Sequence, residues 1–251
     1  MEKLNSIALY CTTLSDAWFW AVYNILKEGR QFVINEGSYA GQKRLEYDYI
    51  TIQISNPAAE PRLPQIPSQY NIPNPVDDNY MVDYVPYLMT GDKQPGEDYT
   101  YGERLCVVPY YKKLESKKLL LGGENHIGNQ IEEIIKRYKE KGHRNNQLVL
   151  QIARPSDLWL TDPPCLRHID TRIQDGKLHF YPYFRSWDLW GGFPANLAAI
   201  QILKEYMAGE IGVEDGEMIV SSKGLHLYDY VWELAECIRG KTLQEFKEED
   251  L

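Results

Sequence analysis

The 251-residue sequence is poor in the residues that build covalent or metal scaffolds. Its four cysteines, Cys11, Cys106, Cys165 and Cys237, are too few and too scattered for a secreted disulfide framework. No Cys-x-x-Cys pair gives a structural zinc site a beginning, and the five histidines form no His-Glu-x-x-His pair, so no metal is expected. Basic charge is also scarce: 27 Lys and Arg face 36 Asp and Glu, for a net −9 at pH 7. That balance argues against a broad DNA or RNA footprint and against an anionic membrane surface, yet leaves room for a local site holding one phosphate. Long hydrophobic runs are missing too. The most apolar window, residues 6–26, is broken by Asp16, Asn24 and four Ser or Thr, and it lacks a basic leader or a small-residue cleavage site. A soluble protein in a reducing, cytoplasmic setting is the expectation.

What the sequence does hold is enough apolar material to fold: 43% of residues are hydrophobic, which excludes disorder as the main state. Residues 18, 19, 22, 25 and 26 are apolar at helical spacing, behind Ser15 and Asp16 as candidate caps and before Gly29 as a stop. Residues 47–54 alternate and are rich in β-branched and aromatic side chains, as a strand should be. Six prolines in residues 56–75 rule out a helix or a central strand there and predict an extended segment wrapping the surface. Residues 80–89 are ambiguous. Downstream, the pattern predicts a helix over 127–142, a strand over 147–153, a strand over 178–184 with Pro182 at an edge or bulge, and a helix over 196–207. A short strand at 218–222 and a last helix over 226–237 complete the reading. No repeat period appears. The mixture predicts an α+β fold in a single domain spanning residues 1–251.

Three clusters could carry chemistry. Cys165 follows Asp162-Pro163-Pro164, a stiff extended approach, with Arg167, His168 and Arg172 close by. A lone cysteine is usually a small buried hydrophobe, and a thiolate needs a positive neighbour. Arg185 and Ser186 end a strand and together suit a phosphate, although a solvated strand end would look the same. Asn196 near a helix start reads most simply as a cap. His226 and Tyr228 offer an imidazole and a phenol two residues apart.

Taken together, Pro163-Pro164-Cys165, Tyr183-x-Arg185-Ser186-x-Asp188, Gly192-x-Pro194-x-Asn196 and His226-x-Tyr228 resemble the signature of the thymidylate synthase family. The spacings hold without a gap: twenty residues from Cys165 to Arg185, eleven from there to Asn196, thirty on to His226. The match is strong over residues 163–228 and fainter upstream, at residues 47–54 and at Tyr99-Thr100-Tyr101-Gly102. It is nearest in look to the shorter archaeal-type branch. The resemblance implies a mixed sheet flanked by helices, with two subunits packing their sheets back to back in a homodimer.

The resemblance also implies roles. Cys165 would add to C6 of a pyrimidine nucleotide, dUMP. Arg185 and Ser186 would hold its phosphate. Asn196 would read the N3 and O4 edge of uracil, and a free carboxamide could flip to serve cytosine, so Asn196 alone permits uracil without strictly excluding cytosine. His226 and Tyr228 would bind the sugar 3′-hydroxyl, and Tyr101 would help remove the C5 proton. Asp188 would hydrogen-bond the pterin of a reduced folate, 5,10-methylenetetrahydrofolate or its methanopterin analogue, methylenetetrahydromethanopterin, acting as co-substrate.

The sequence also departs from the family pattern. The histidine that usually follows the nucleophile is Leu166, and the glutamine before the arginine is Phe184. Lys223-Gly224-Leu225 replaces a Gly-Asp before the sugar-binding histidine. Where the family lends a twin-arginine pair to the partner subunit, this chain has Asn145-Asn146 with Arg144 just before. The upstream phosphate arginine matches Lys43 or Arg44, and the proton-organising glutamate falls near Asp83. The tryptophans that screen the exocyclic methylene intermediate are not visible. These departures bear on hydride transfer more than on carbon addition. A methylating synthase therefore stands beside a 5-hydroxymethylase that lets water quench the same adduct, and beside a non-catalytic homologue binding nucleotide or RNA. The flavin-dependent route to the same product is disfavoured, since its Arg-His-Arg-x-x-Ser run is absent.

Overall fold

The computed structural model describes residues 3–35, 39–113 and 123–240. In chain order the elements are β1 (Ser6–Cys11), α1 (Leu14–Glu28), β2 (Arg30–Val33), β3 (Lys43–Glu46), β4 (Tyr49–Ile54), α2 (Asp78–Met89) and α3 (Tyr101–Cys106). There follow β5 (Val108–Lys113), β6 (Gly123–Gly128), α4 (Gln130–Lys141), β7 (Val149–Gln151), β8 (Leu166–Gln174) and β9 (Lys177–Phe184). The last are β10 (Trp187–Asp188), α5 (Gly192–Ile211), β11 (Glu214–Ser222), β12 (Leu225–Tyr228) and α6 (Trp232–Ile238). This is the mixed α+β architecture expected.

A six-stranded mixed sheet, ordered β1-β4-β11-β9-β8-β7, forms the base. Alternate residues of its strands are buried, as in the run Ile50, Ile52 and Ile54 of β4 or Leu178, Phe180 and Phe184 of β9. The buried face is covered by α5, which packs on β9 and β11, with α1 and α4 beside it. The other face carries Tyr10, Tyr49, His168, Tyr181, Tyr183 and Ile219 and is open, with Tyr10 80% exposed. A four-stranded sheet, β10-β12-β3-β2, continues from the first. Three neighbouring strands pass from one sheet to the other within two or three residues: β9 into β10, β11 into β12, and β3 into β4. The Trp187 N–H donates to the Gly224 carbonyl at 2.9 Å and the Tyr47 N–H to the Leu225 carbonyl at 3.0 Å, stitching the bends together.

Several expectations change. Thr13, not Ser15 or Asp16, caps α1, accepting from the Asp16 N–H. Ile127 does not start a helix: it sits on β6 at 73% exposure, and Asn129 caps α4 behind it. Pro182 lies inside the sheet rather than at its edge, opposite Ile169 and next to the β8 irregularity between Leu166 and His168. Residues 225–228 are strand, not the first turn of the last helix. That matters chemically, because residues two apart share a face on a strand and point apart on a helix. The prolines of residues 56–75 keep the segment non-helical apart from one 3-10 turn, Ser68–Tyr70, while Leu63 and Ile66 anchor it.

One buried charge marks the β11 end of the core. Lys204 of α5 is fully buried; its ammonium donates to the Gly216 carbonyl and lies 3.4 Å from Asp215. Burial pushes Lys204 down to about 8 from an ordinary 10.5, with Asp215 pulling the other way. Below about pH 8 both folded and unfolded chains carry the proton and the fold bears the whole penalty. Between about 8 and 10.5 only the unfolded chain holds it, so stability rises with pH. Urea unfolding across that window should show a rise in the wild type, roughly 3 kcal/mol at most, that Lys204→Met flattens. Parallel profiles for the two proteins would contradict this reading of Lys204.

Candidate active site

The site is built where the three strands bend. Cys165 stands at the entry to β8, half-buried, after the Pro163-Pro164 segment. The Arg185 N–H donates to its carbonyl at 2.9 Å, so the bend after β9 is tied to the backbone of Cys165 itself. The Arg185 side chain folds back on the same segment: its Nε donates to the Pro164 carbonyl at 3.2 Å and its Nη2 to the Pro163 carbonyl. The same Nη2 pairs with Asp162 at 3.2 Å. Arg167 adds a second donor to the Pro164 carbonyl at 3.0 Å. Burial pushes the Cys165 thiol up, Arg185 and Arg167 pull it down, and Asp162 works against them. Ser186 sits half-buried in the bend, backed by Gly224. A Cβ on Gly224 would lie 3.0 Å from the Arg185 carbonyl oxygen, tighter than an ordinary contact, so glycine eases the close approach of the two bends.

Tyr101 comes to Cys165 from the other side. Its hydroxyl accepts from the Leu166 N–H at 3.2 Å, and Gly102 lets α3 start hard against the end of α2, where a Cβ would meet the Thr90 and Tyr87 carbonyls. Burial, with Cys165 adding to it, holds the Tyr101 phenol well above its ordinary value, so it stays protonated. A cavity of about 140 Å³ lies beside these groups, lined by Tyr84, Tyr87, Leu88, Tyr99, Thr100 and Tyr101.

Asn196 is in the second turn of α5, whose cap is Gly191, so it is free of the capping role. Its Oδ1 accepts from the Trp187 indole N–H at 2.8 Å, and its Nδ2 donates to the Tyr84 hydroxyl. Asp188 is engaged by its own loop: Oδ1 accepts from the Trp190 N–H at 3.2 Å, and Oδ2 from the Gly191 and Gly192 N–H groups at 3.0 and 2.9 Å. The carboxylate thus shapes the turn into α5, a role that the motif alone does not reveal.

His226 and Tyr228 face the same way on β12, with rings 4.8 Å apart. The His226 Nδ1 lies 2.9 Å from the Gly224 carbonyl, which can only accept, so Nδ1 carries the hydrogen. Nε2 is then a bare acceptor, buried and without a partner among the described residues. Burial, with Arg44 adding to it, pushes the imidazole down to about 4, so it is neutral at working pH. Tyr228 stacks between Tyr39 and Tyr230.

The upstream candidates divide. Arg44 is paired in register with Tyr228 across β3 and β12, and forms an ion pair with Glu46 at 2.7 Å, so it sits on the His226 and Tyr228 side of the site. Lys43 is exposed at the end of β3. Asp83 is in α2, directly before Tyr84; its side chain lies outside the described residues. Arg144 is exposed on the loop after α4, beyond the Arg172 end of β8 and away from Cys165 of its own chain. Sequence reasoning missed Tyr84, Trp187 and the pairing of Asp162 with Arg185. Only Asp162, directly before the Pro-Pro-Cys run, carried any local signal.

A family model described as thymidylate synthase matches residues 92–246, more than half of the chain. A Methanosarcina acetivorans protein named "Putative thymidylate synthase" is 29% identical over 225 residues, which is 90% of this chain and 91% of that protein. Proteins of the same name from Methanosarcina barkeri and Methanocaldococcus jannaschii are 27% and 26% identical, covering 90% and 77% of this chain and 91% and 86% of theirs. The family match over more than half of the chain settles the kinship: the chain belongs to the thymidylate synthase family.

Proposed function

We propose that this protein methylates dUMP to dTMP, using a methylene-tetrahydropterin as co-substrate, through a covalent bond between Cys165 and C6 of the base. The observation that carries this reading is the side chain of Arg185, folded onto the Pro163 and Pro164 carbonyls directly before Cys165. One fixed cation serves two ends there: it favours the thiolate, and it can hold a phosphate with Ser186. Asp162 shares Arg185 and is 88% exposed, so a phosphate competes with a carboxylate that loses little on turning to water.

Uracil C5 is too weak a nucleophile to attack a methylene carbon directly. Sulfur addition at C6 moves the electron pair onto C5 and O4, and a donor at O4 stabilises that charge. The Asn196 Nδ2 has one hydrogen on Tyr84 and a second for O4. The neutral His226 Nε2 accepts from the sugar 3′-hydroxyl, with Tyr228 beside it. Tyr101, held protonated, relays the C5 proton by hydrogen bonding rather than by acting as a phenolate base. Asp83 of α2 is the carboxylate assigned to organise that transfer. The co-substrate supplies the carbon and the hydride when bound. Its pterin fits Asp188, whose Oδ1 has a single partner among the described residues and can accept one more N–H.

The whole chain works as one domain in the cytoplasm and as a homodimer. The aromatic open face of the six-stranded sheet is the surface a second copy would cover. Arg144, which cannot serve its own Cys165, then reaches the partner's phosphate together with Arg44 of that site.

Mass spectrometry of the nucleotide product tests the reaction: dTMP is heavier than dUMP by one CH2, a hydroxymethyl product by one CH2O. The methyl product is expected, and Cys165→Ala should abolish it while binding of dUMP stays measurable. Ordinary turnover by Cys165→Ala would overturn the mechanism, and the hydroxymethyl product would replace the hydride step by water. Sedimentation should show a dimer at assay concentration; a fully active monomer would contradict the assembly.

A further inference from the structure

We propose that Trp187 is the residue that makes this site choose uracil over cytosine, by fixing which way round Asn196 presents its carboxamide. The inference rests on Asn196 as the reader of the base and adds a positioning residue behind it.

An indole N–H only donates, so the Asn196 atom 2.8 Å from it must be oxygen. The Tyr84 hydroxyl at the other end of the carboxamide donates or accepts equally well and imposes no direction. All the polarity of the chain Trp187–Asn196–Tyr84 therefore comes from Trp187. Turning the carboxamide over would bring its NH2 group against the indole N–H, donor facing donor.

The indole cannot step aside to allow this. Trp187 is 3% exposed; its ring stacks on Phe184 at 3.8 Å and 3° and leans on Phe193 at 4.6 Å. Its backbone N–H is held by the Gly224 carbonyl. Phe184 is in turn seated opposite Leu166 across β9 and β8, with both side chains fully buried. Leu166, Phe184, Trp187 and Phe193 thus form an apolar bracket whose single polar atom points at Asn196.

In this orientation Asn196 keeps one lone pair on Oδ1 and one hydrogen on Nδ2. That acceptor and donor pair matches the N3–H and O4 edge of uracil. Cytosine presents the reverse, an N3 acceptor and a 4-amino donor, and could be served only by the flip that Trp187 forbids.

The test is Trp187→Phe, which keeps a stacking ring and removes the N–H, together with benzothienylalanine placed at position 187, which keeps the bicyclic shape and also lacks the N–H. Calorimetric Kd and kcat/KM for dUMP and dCMP are compared, with thermal melts to confirm folding. The preference for dUMP should fall by roughly tenfold or more in both variants, mainly through a gain for dCMP, and Tyr84→Phe should keep it. An unchanged preference in a folded variant lacking the N–H overturns the proposal, as does an equal collapse in Tyr84→Phe. Asn196→Ala separates the underlying reading: if that variant keeps the wild-type preference, Asn196 does not read the base.

Discussion

The site depends on one constraint, the simultaneous bend of three adjacent strands. Between Phe184 and Trp187, between Ser222 and Leu225, and between Glu46 and Tyr49, the chain leaves one sheet and enters another. Strands that bend together release backbone groups from their ladders at the same level, and those groups must find new partners. Here the Arg185 N–H takes the Cys165 carbonyl, the Trp187 N–H takes the Gly224 carbonyl, and the Leu189 N–H takes the His226 carbonyl. Each of these bonds ties two site segments that are far apart in sequence. Arg185, Cys165, Trp187 and His226 are therefore positioned by the same bend.

Electrostatics follow from that arrangement. A chain with net charge −9 still collects Arg167, Arg185 and Arg44 around a half-buried thiol and a neutral histidine. The positive charge is not left bare: Asp162 and Glu46 each hold one guanidinium. That pairing keeps the cluster from being a general anion trap, in keeping with the small phosphorylated substrate proposed above rather than a nucleic-acid strand.

Much of this was legible in the sequence, and what was not has physical reasons. The helices α1, α4 and α5 show because their apolar residues recur at helical spacing, and β4 because it alternates. β8 was hidden because its open face carries Arg167, Asp170 and Arg172, so Leu166, Ile169 and Ile173 read as isolated apolar residues. The strand at 225–228 reads as helix in the sequence because four residues running straight into another apolar stretch carry no period of their own. At the candidate site, motif spacing singles out Cys165 and Arg185, which the bend after β9 ties together, His226 on β12, and Asn196 in the second turn of α5. It could not find Tyr84, whose partner Asn196 is 112 residues away, nor the indole of Trp187, which a motif treats as a free position. It also gave Asp188 a ligand role alone, although three backbone N–H groups of the following turn rest on that carboxylate.

The central claim is that Cys165 bonds covalently to C6 of dUMP while the methylene carbon is joined at C5. Replacing the C5 hydrogen by fluorine tests it directly, because fluorine cannot leave as a cation and the adduct must stall after carbon transfer. Incubation with 5-fluoro-dUMP and methylenetetrahydrofolate, followed by intact-mass and peptide-mass measurement, should give one stable adduct per chain, carrying both ligands and mapping to the peptide of Cys165. An unmodified chain that nevertheless turns over dUMP under the same conditions, or an adduct on Cys11, Cys106 or Cys237, would contradict the account.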